Sequence, residues 1–286
     1  MKLPSFAYAR PTSVEGAIHH LVEGGGEARL IAGGQSLLPM MAFRLLRPSM
    51  LVDIGAIEEL KTITVERDVI RIGALVRWCE LERNQVLMEK LPLLPAGIAH
   101  VAHYQIRNRG TVGGSLAHND PAAEMPTLAI VCDAEIVVVG PAGSRVAPAR
   151  EILSEALSPA IEFDEMIVAV QFKPWTSSKR WGFSEISRRR GDFAIAGIAL
   201  HYELDAEAKM MDVHVAVFGA AEVPQRLREV ENLLEGRLIG SNLIMEASAR
   251  VSSIVDPPED IHASADYRRA LAGVLFERAL REAASR

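Results

Sequence analysis

The sequence predicts an α+β protein in two unequal parts, and three observations lead there. Short strand-like runs and amphipathic helical stretches are mixed up to about residue 172. A Pro174-Trp175-Thr176-Ser177-Ser178 linker follows, and beyond it three strand-like runs precede three helical ones. Strands followed by helices describe a small antiparallel sheet with a helical layer. Finally, 286 residues give room for two domains at about 150 residues each.

The elements follow in order. Thr12 and Glu15 have capping-box spacing, and Val14, Ala17, Ile18, Leu21 and Val22 then recur at helical intervals, with Gly24-Gly25-Gly26 as the stop. Residues 29–32 form a short strand that runs into Gly33-Gly34-Gln35-Ser36, and 51–54 form another. Ile63, Val65, Ile70 and Ile72 alternate around Arg67-Asp68, which predicts a hairpin. Helices are predicted over 77–91 and 94–103, then a polar glycine-rich segment over 107–115. A buried helix over 121–132 has proline near its first turn, and 136–139 and 166–172 read as strands. After the linker come strands over 181–187, 194–203 and 211–218. The three helices are marked by Leu227 to Leu234, by 243–254, and by Tyr267, Leu271, Val274, Leu275 and Ala279.

Composition narrows the function. Hydrophobic residues at 49% and charged residues at 24% exclude a largely disordered chain, and 5% aromatics leave no large stacking surface for single-stranded nucleic acid. A net charge of −6 argues against a general binder of nucleic acid or anionic membrane. The arginine-rich stretch 268–286 is interrupted by glutamates and reads as a solvated helix face. Cys79 and Cys132 are too few for an all-cysteine iron–sulfur cluster or a disulfide framework, and read as buried free thiols. Residues 1–6 lack a signal-peptide pattern and no run of 18 apolar residues exists, which predicts a cytoplasmic protein without membrane insertion.

The common chemical signatures are missing: no Gly-x-Gly-x-x-Gly opens a helix, no Gly-Lys pair makes a P-loop, and neither His-Glu-x-x-His nor Gly-x-Ser-x-Gly occurs. His19-His20 cannot share a helix face, and His100 and His103 lack a third ligand nearby, so packing or a hydrogen bond at the cofactor is favoured over metal. Tyr104 and Arg107 read equally as cofactor neighbours and as solvent-exposed residues. Two segments remain. Ala32-Gly33-Gly34-Gln35-Ser36-Leu37 places paired glycines at a strand end beside small donors. The stretch Thr111-Val112-Gly113-Gly114-Ser115-Leu116-Ala117-His118 does the same, and Glu124 follows near a helix start. Either loop alone is more simply a tight turn. Together they suit a diphosphate held by backbone amides rather than by lysine, with Glu124 accepting from ribose or ribityl hydroxyls.

The two loops, extended to Pro39 and back to Arg107, resemble those of the FAD-binding medium subunit of the carbon monoxide dehydrogenase family, molybdenum hydroxylases related to xanthine dehydrogenase. A third match is Arg188-Arg189-Arg190-Gly191-Asp192-Phe193-Ala194-Ile195-Ala196-Gly197, which resembles the opening of that family's C-terminal flavoprotein domain. The matches lie in order and cover essentially the whole chain. The resemblance implies a two-subdomain FAD-binding domain of the vanillyl-alcohol-oxidase (PCMH) type over 1–175, with subdomains of about 1–57 and 58–175, and a C-terminal α+β domain over 176–286. It implies that Ala32, Gly33, Gly34, Gln35, Ser36 and Leu37 wrap one side of the FAD diphosphate and Thr111, Gly114 and Ser115 the other, with Ala117 and His118 in the same loop. Glu124 matches an acidic position holding adenosine-side hydroxyls, Ile167 an apolar position near the cofactor, and Phe193 an aromatic one near the isoalloxazine. Some relatives carry a lysine just before the Arg-Arg run, where this chain has Ser184-Glu185-Ile186-Ser187 and so lacks a charge that favours anionic flavin.

By the same resemblance, substrate is oxidised at a molybdenum–pterin centre on a large subunit. Electrons pass through two [2Fe–2S] clusters on a small subunit to this chain's FAD, and then to a quinone, oxygen, nicotinamide or another acceptor. The whole is expected as a dimer of heterotrimers. No side chain of this chain need act as acid or base, and no metal ligand set is expected in it. Two other readings stay open: a stand-alone FAD-dependent oxidoreductase of the same fold, and a non-enzymatic scaffold whose glycine loops are only turns.

Overall fold

The computed structural model describes residues 3–286. β1 (Ala7–Ala9) leads to α1 (Val14–Glu23), whose N-cap is Ser13, not the predicted Thr12. The Ser13 hydroxyl sits one residue closer and accepts the Gly16 amide at 3.1 Å. The glycine turn after α1 delivers β2 (Ala28–Ile31), α2 (Leu37–Ala42) and β3 (Met50–Asp53). These strands pair in parallel in the order β1-β3-β2, and α1 lays Ala17, Ile18 and Leu21 into the core they share.

β4 (Ile63–Val65) and β5 (Ile70–Gly73) form the predicted hairpin. The single helix expected over 77–91 is two, α3 (Trp78–Glu82) and α4 (Gln85–Lys90). Asn84 causes the break by turning its side chain onto the Leu87 amide at 3.0 Å and capping the second helix. The helix expected over 94–103 also divides. α5 (Leu93–Ile98) stops, Ala102 takes φ 41°, and α6 (Tyr104–Arg107) starts afresh. Nor is 107–115 all loop, because α7 (Val112–His118) begins inside it. α8 (Glu124–Val131), β6 (Glu135–Gly140), β7 (Gly143–Pro148), α9 (Ala149–Ile152) and β8 (Met166–Phe172) follow.

The second sheet is antiparallel throughout, in the order β4-β5-β8-β6-β7. Its central strands are covered on both faces, which is why β8 runs apolar from Met166 to Val170 rather than alternating. Val137, Met166 and Val168 pack toward α1, while Ile136, Val138, Ile167 and Val170 lie in the core beneath the helices. Register slips by one between Val137 and Val138, so Val168 has no partner on β6. The bulge has a use. The Val168 carbonyl accepts the Ala74 amide at 3.0 Å, and the Ala74 carbonyl accepts the Gly113 amide at 2.8 Å, which fastens the start of α7 to the sheet.

Beyond the linker, β9 (Arg180–Ile186), β10 (Ala196–Leu204), β11 (Met210–Phe218) and a short β12 (Gln225–Arg226) form an antiparallel sheet in the order β12-β11-β10-β9. Helices α10 (Arg228–Leu234), α11 (Ser241–Ile254) and α12 (Ala265–Ser285) follow it. One face buries Ile198, Leu200, Val215 and Val217 in a core shared with Leu275, Phe276 and Leu280 of α12. The opposite face sends Phe183, Ala199, Ala216 and Phe218 into the core of the N-terminal part, beside Ile98 and Leu128. The two parts therefore share one apolar interior.

Two expectations fail here. Arg268 is not on a solvated face: it is buried, because its helix turns that side toward the sheet. Of the two free thiols only Cys132 is buried, and Cys79 is half-buried. No helix among the described residues is long and apolar enough to cross a membrane.

Phe218 is fully buried at this junction, its ring 5.8 Å from that of Phe183. Phe218→Ala is expected to lower the free energy of unfolding by about 4 kcal/mol, measured by urea denaturation. A loss below about 1 kcal/mol would mean that the junction is not a packed core.

Candidate cofactor site

The two glycine segments face each other. The first leaves β2 at Ile31, turns through Ala32 to Ser36 and enters α2. Gly34 has φ +70°, a backbone conformation that side chains with a Cβ rarely adopt. The Gln35 side chain folds back to donate to the Gly33 carbonyl at 2.8 Å. Among the described residues the amides of Gly33, Gly34, Gln35 and Ser36 donate to no protein group. Four such donors on one turn leave a set free for an external acceptor.

The second segment is pinned from behind. Thr111 pairs with Arg77 in an isolated bridge, the Val112 amide donates to the Val76 carbonyl at 3.0 Å, and Gly113 is held by Ala74. The Thr111 hydroxyl caps α7 by accepting the Gly114 amide at 3.3 Å. The segments touch directly. A Cβ built on Gly33 would overlap the Arg109 carbonyl oxygen and lie 2.9 Å from the Gly110 Cα, and one on Gly114 would lie 4.0 Å from the Ala32 Cβ.

Between and beyond them lies a cavity of about 810 Å³, within the roughly 300–1,000 Å³ of cofactor sites. Ala32, Gly33, Gly34, Gln35, Ser36 and Leu37 line one wall, and Thr111, Gly114, Ser115, Ala117 and His118 line another. Glu124, Ile167 and Phe193 line it as well, so every residue that the resemblance assigns to the cofactor borders one space. Ile167 is the residue next to the β8 bulge. Phe193 is 64% exposed, and comes from the loop between β9 and β10. His100 and His103 do not line the cavity. His100 sits 3.4 Å from Glu185, and the His103 ring packs under Gly191.

Sequence reasoning missed one wall. Leu157, Pro159, Ile161 and Phe163 close the cavity from the segment between α9 and β8, and the Phe163 ring lies 3.7 Å from where a Cβ on Gly26 would be. The segment is held by Asn119, whose carbonyl accepts the Leu157 amide at 3.0 Å and whose side chain donates to the Glu155 carbonyl at 2.6 Å. Asn119 itself has φ 46°, ending α7. Only the Asn-Asp-Pro sequence after the second loop hints at such a turn.

Glu124 is the electrostatic feature of the site. It stands at the first position of α8, buried at the cavity wall. Desolvation, and then the nearby Glu185 carboxyl, push its pKa from an ordinary 4.5 to about 8. The Glu185 side chain is itself nearly covered, with one carboxyl oxygen unpartnered. A buried acid on the wall of an open cavity suits a ligand rich in hydroxyl donors.

The fold and the cleft define a nucleotide-cofactor-binding protein. Residues 4–175 match the FAD binding domain in molybdopterin dehydrogenase, and residues 181–283 the CO dehydrogenase flavoprotein C-terminal domain. The chain is 39% identical over its whole length to the 6-hydroxypseudooxynicotine dehydrogenase complex subunit alpha of Paenarthrobacter nicotinovorans, covering 97% of that protein. It is 33% identical to the carbon monoxide dehydrogenase medium chain of Hydrogenophaga pseudoflava, with 99% of this chain and 98% of that one aligned. Its structure superposes on that organism's carbon monoxide dehydrogenase with a TM-score of 0.96 at 33% identity, over 100% of this chain and 99% of the other. Quinoline 2-oxidoreductase from Pseudomonas putida 86 gives 0.95 at 34% identity, over 100% and 99%. The chain belongs to the FAD-binding medium subunits of the carbon monoxide dehydrogenase family of molybdenum hydroxylases, and is an oxidoreductase subunit.

The raised Glu124 pKa sets a pH dependence. The unfolded chain releases this proton near 4.5 and the folded chain near 8. Stability from this group is therefore complete below 4.5 and lost as pH rises through 8. Glu124→Gln removes the proton from the cycle. For the ligand-free chain, wild type minus variant unfolding free energy is expected to fall between about pH 5 and pH 8.5, measured by urea denaturation. A flat difference contradicts the assignment.

Proposed function

We propose that the cavity holds FAD, with the diphosphate on the amides of residues 33–36 and against Gly114 and Ser115. The observation that carries this is a set of unpartnered amides on one glycine turn that lines the same cavity as a second glycine turn. No lysine or metal is needed there, since backbone N–H groups supply the positive ends of dipoles. The lack of a Cβ at Gly33 keeps the two turns in contact, and at Gly114 it keeps the gap between them clear. Thr111 fixes the second turn, and Ala117 and His118 extend its wall. Glu124 accepts hydrogen bonds from adenosine-side hydroxyls, and those bonds favour its charged form. Ile167 gives an apolar surface at the cofactor, and Phe193 an aromatic one at the isoalloxazine end. Leu157 to Phe163 exclude water along the remaining wall. FAD held here supplies a redox centre that accepts electrons one or two at a time.

In this reading the chain divides at the linker into an FAD-binding PCMH-type domain over 1–175, with subdomains of about 1–57 and 58–175, and a C-terminal domain over 176–286. It is the electron-transfer subunit of a cytoplasmic complex. A large subunit carries the molybdenum cofactor where substrate is hydroxylated, and a small subunit carries the [2Fe–2S] clusters that deliver electrons to this chain. Two such heterotrimers pair. The names of its relatives support the division of labour, since they are subunits or medium chains of dehydrogenases.

Gly114→Asp tests the placement by putting a carboxylate beside the diphosphate. Like charges about 4 Å apart near a surface repel by about 4 kcal/mol, so FAD affinity is expected to fall at least a hundredfold in a folded variant, read by flavin fluorescence titration. An unchanged dissociation constant places the phosphate elsewhere.

A further inference from the structure

Arg268 lies in the first turn of α12 and is 5% exposed. A buried arginine needs partners for its charge, and here both terminal nitrogens have them while the buried Nε has none. One terminal nitrogen, Nη1, donates to the Ile195 carbonyl at 2.6 Å and to the Gly219 carbonyl at 2.7 Å. The other, Nη2, donates to Asp260 Oδ2 at 2.8 Å. The two carbonyls converge on that one nitrogen, and the Gly219 backbone runs close to the Ile195 segment. Gly219 has φ +67°, and a Cβ there would lie 2.8 Å from the Ala194 oxygen and 3.0 Å from that of Ile195. Two converging carbonyl dipoles repel unless a cation sits between them; the two N–H bonds of Nη1 bridge them, and the planar group carries Nη2 to Asp260 at the same time.

Each carbonyl leads to a different wall of the cavity. Ile195 is two residues beyond Phe193, in the segment that contributes Gly191, Asp192 and Phe193. Gly219 donates its own amide to the Pro121 carbonyl at 2.9 Å, and Pro121 lies between the wall residues Asp120 and Glu124. Arg268 itself does not line the cavity. We propose that Arg268 is a positioning residue for the cofactor, a clamp that sets the Phe193 segment and the Glu124 segment relative to each other. This rests on the FAD reading above. It gives the C-terminal helix a role in shaping a site whose phosphate end is built by the N-terminal part.

The test uses the full chain with Arg268→Met and, in case that variant folds poorly, Arg268→Lys. Trypsin supplies a readout that needs no cofactor, because Arg188, Arg189 and Arg190 are exposed in the same loop as Phe193. In the ligand-free chain the clamp predicts faster cleavage at these arginines in both variants, at a temperature where both are folded. In the loaded chain it predicts FAD bound about tenfold more weakly or worse and an altered visible circular dichroism of the flavin. Arg268→Lys should lie between wild type and Arg268→Met in all three. A variant with a lower melting temperature but unchanged cleavage, affinity and dichroism would make Arg268 merely structural and overturn the proposal. If wild type binds no FAD, the cofactor reading fails, and unchanged cleavage would sink the clamp separately.

Discussion

The first glycine turn and the Arg109–Gly110 backbone lie in contact, with no room at Gly33 for a side chain. That contact joins the parallel sheet, which carries the first turn on β2, to the antiparallel sheet, which carries the second through Ala74 and the β8 bulge. The shape of the cavity between the two glycine turns depends on it. Because the two backbones meet without intervening side chains, the turn that carries the free amides of 33–36 lines the same cavity as Gly114 and Ser115. Separate the turns by a methyl group and the cradle opens, while each sheet stays intact.

At the other end, burial rather than contact decides the chemistry. Glu124 is held in a low-dielectric wall beside a second acid, so its pKa is raised to about 8. Phe193 comes from a loop that belongs to the C-terminal sheet, and that sheet is glued to the N-terminal core by Phe183 and Phe218. The C-terminal part is thus a wall of the site as well as an appended domain. This arrangement matches a subunit whose work is to hold and tune a redox cofactor while substrate chemistry occurs on another chain.

Much of the fold was legible because patterning and position agreed. The hairpin over 63–72, the run in β8 and the three C-terminal strands and helices all carry the periods of their elements. The parts that were not legible have physical causes. α7 starts Val112-Gly113-Gly114, residues with poor helix propensity, and it exists because Thr111 caps it and the bulge anchors it. Asn84 ended a helix that periodicity alone extends to Leu91. β7, beginning Gly143-Ser144-Arg145, is strand because it pairs along β6, not because of its side chains. Within the site, residues on the two glycine turns were readable from type and spacing. The wall over 157–163 was not, since nothing local marks a segment that folds across a cavity formed elsewhere. Arg268 was misread for a related reason: interrupting glutamates suggest solvent, and the carbonyls that hold it lie 49 and 73 residues away.

The most direct test is the visible absorption spectrum of the purified full chain after incubation with FAD and gel filtration. The account predicts an oxidised-flavin spectrum that survives the column at about one FAD per chain, as a single cavity allows. A folded, colourless chain would contradict it.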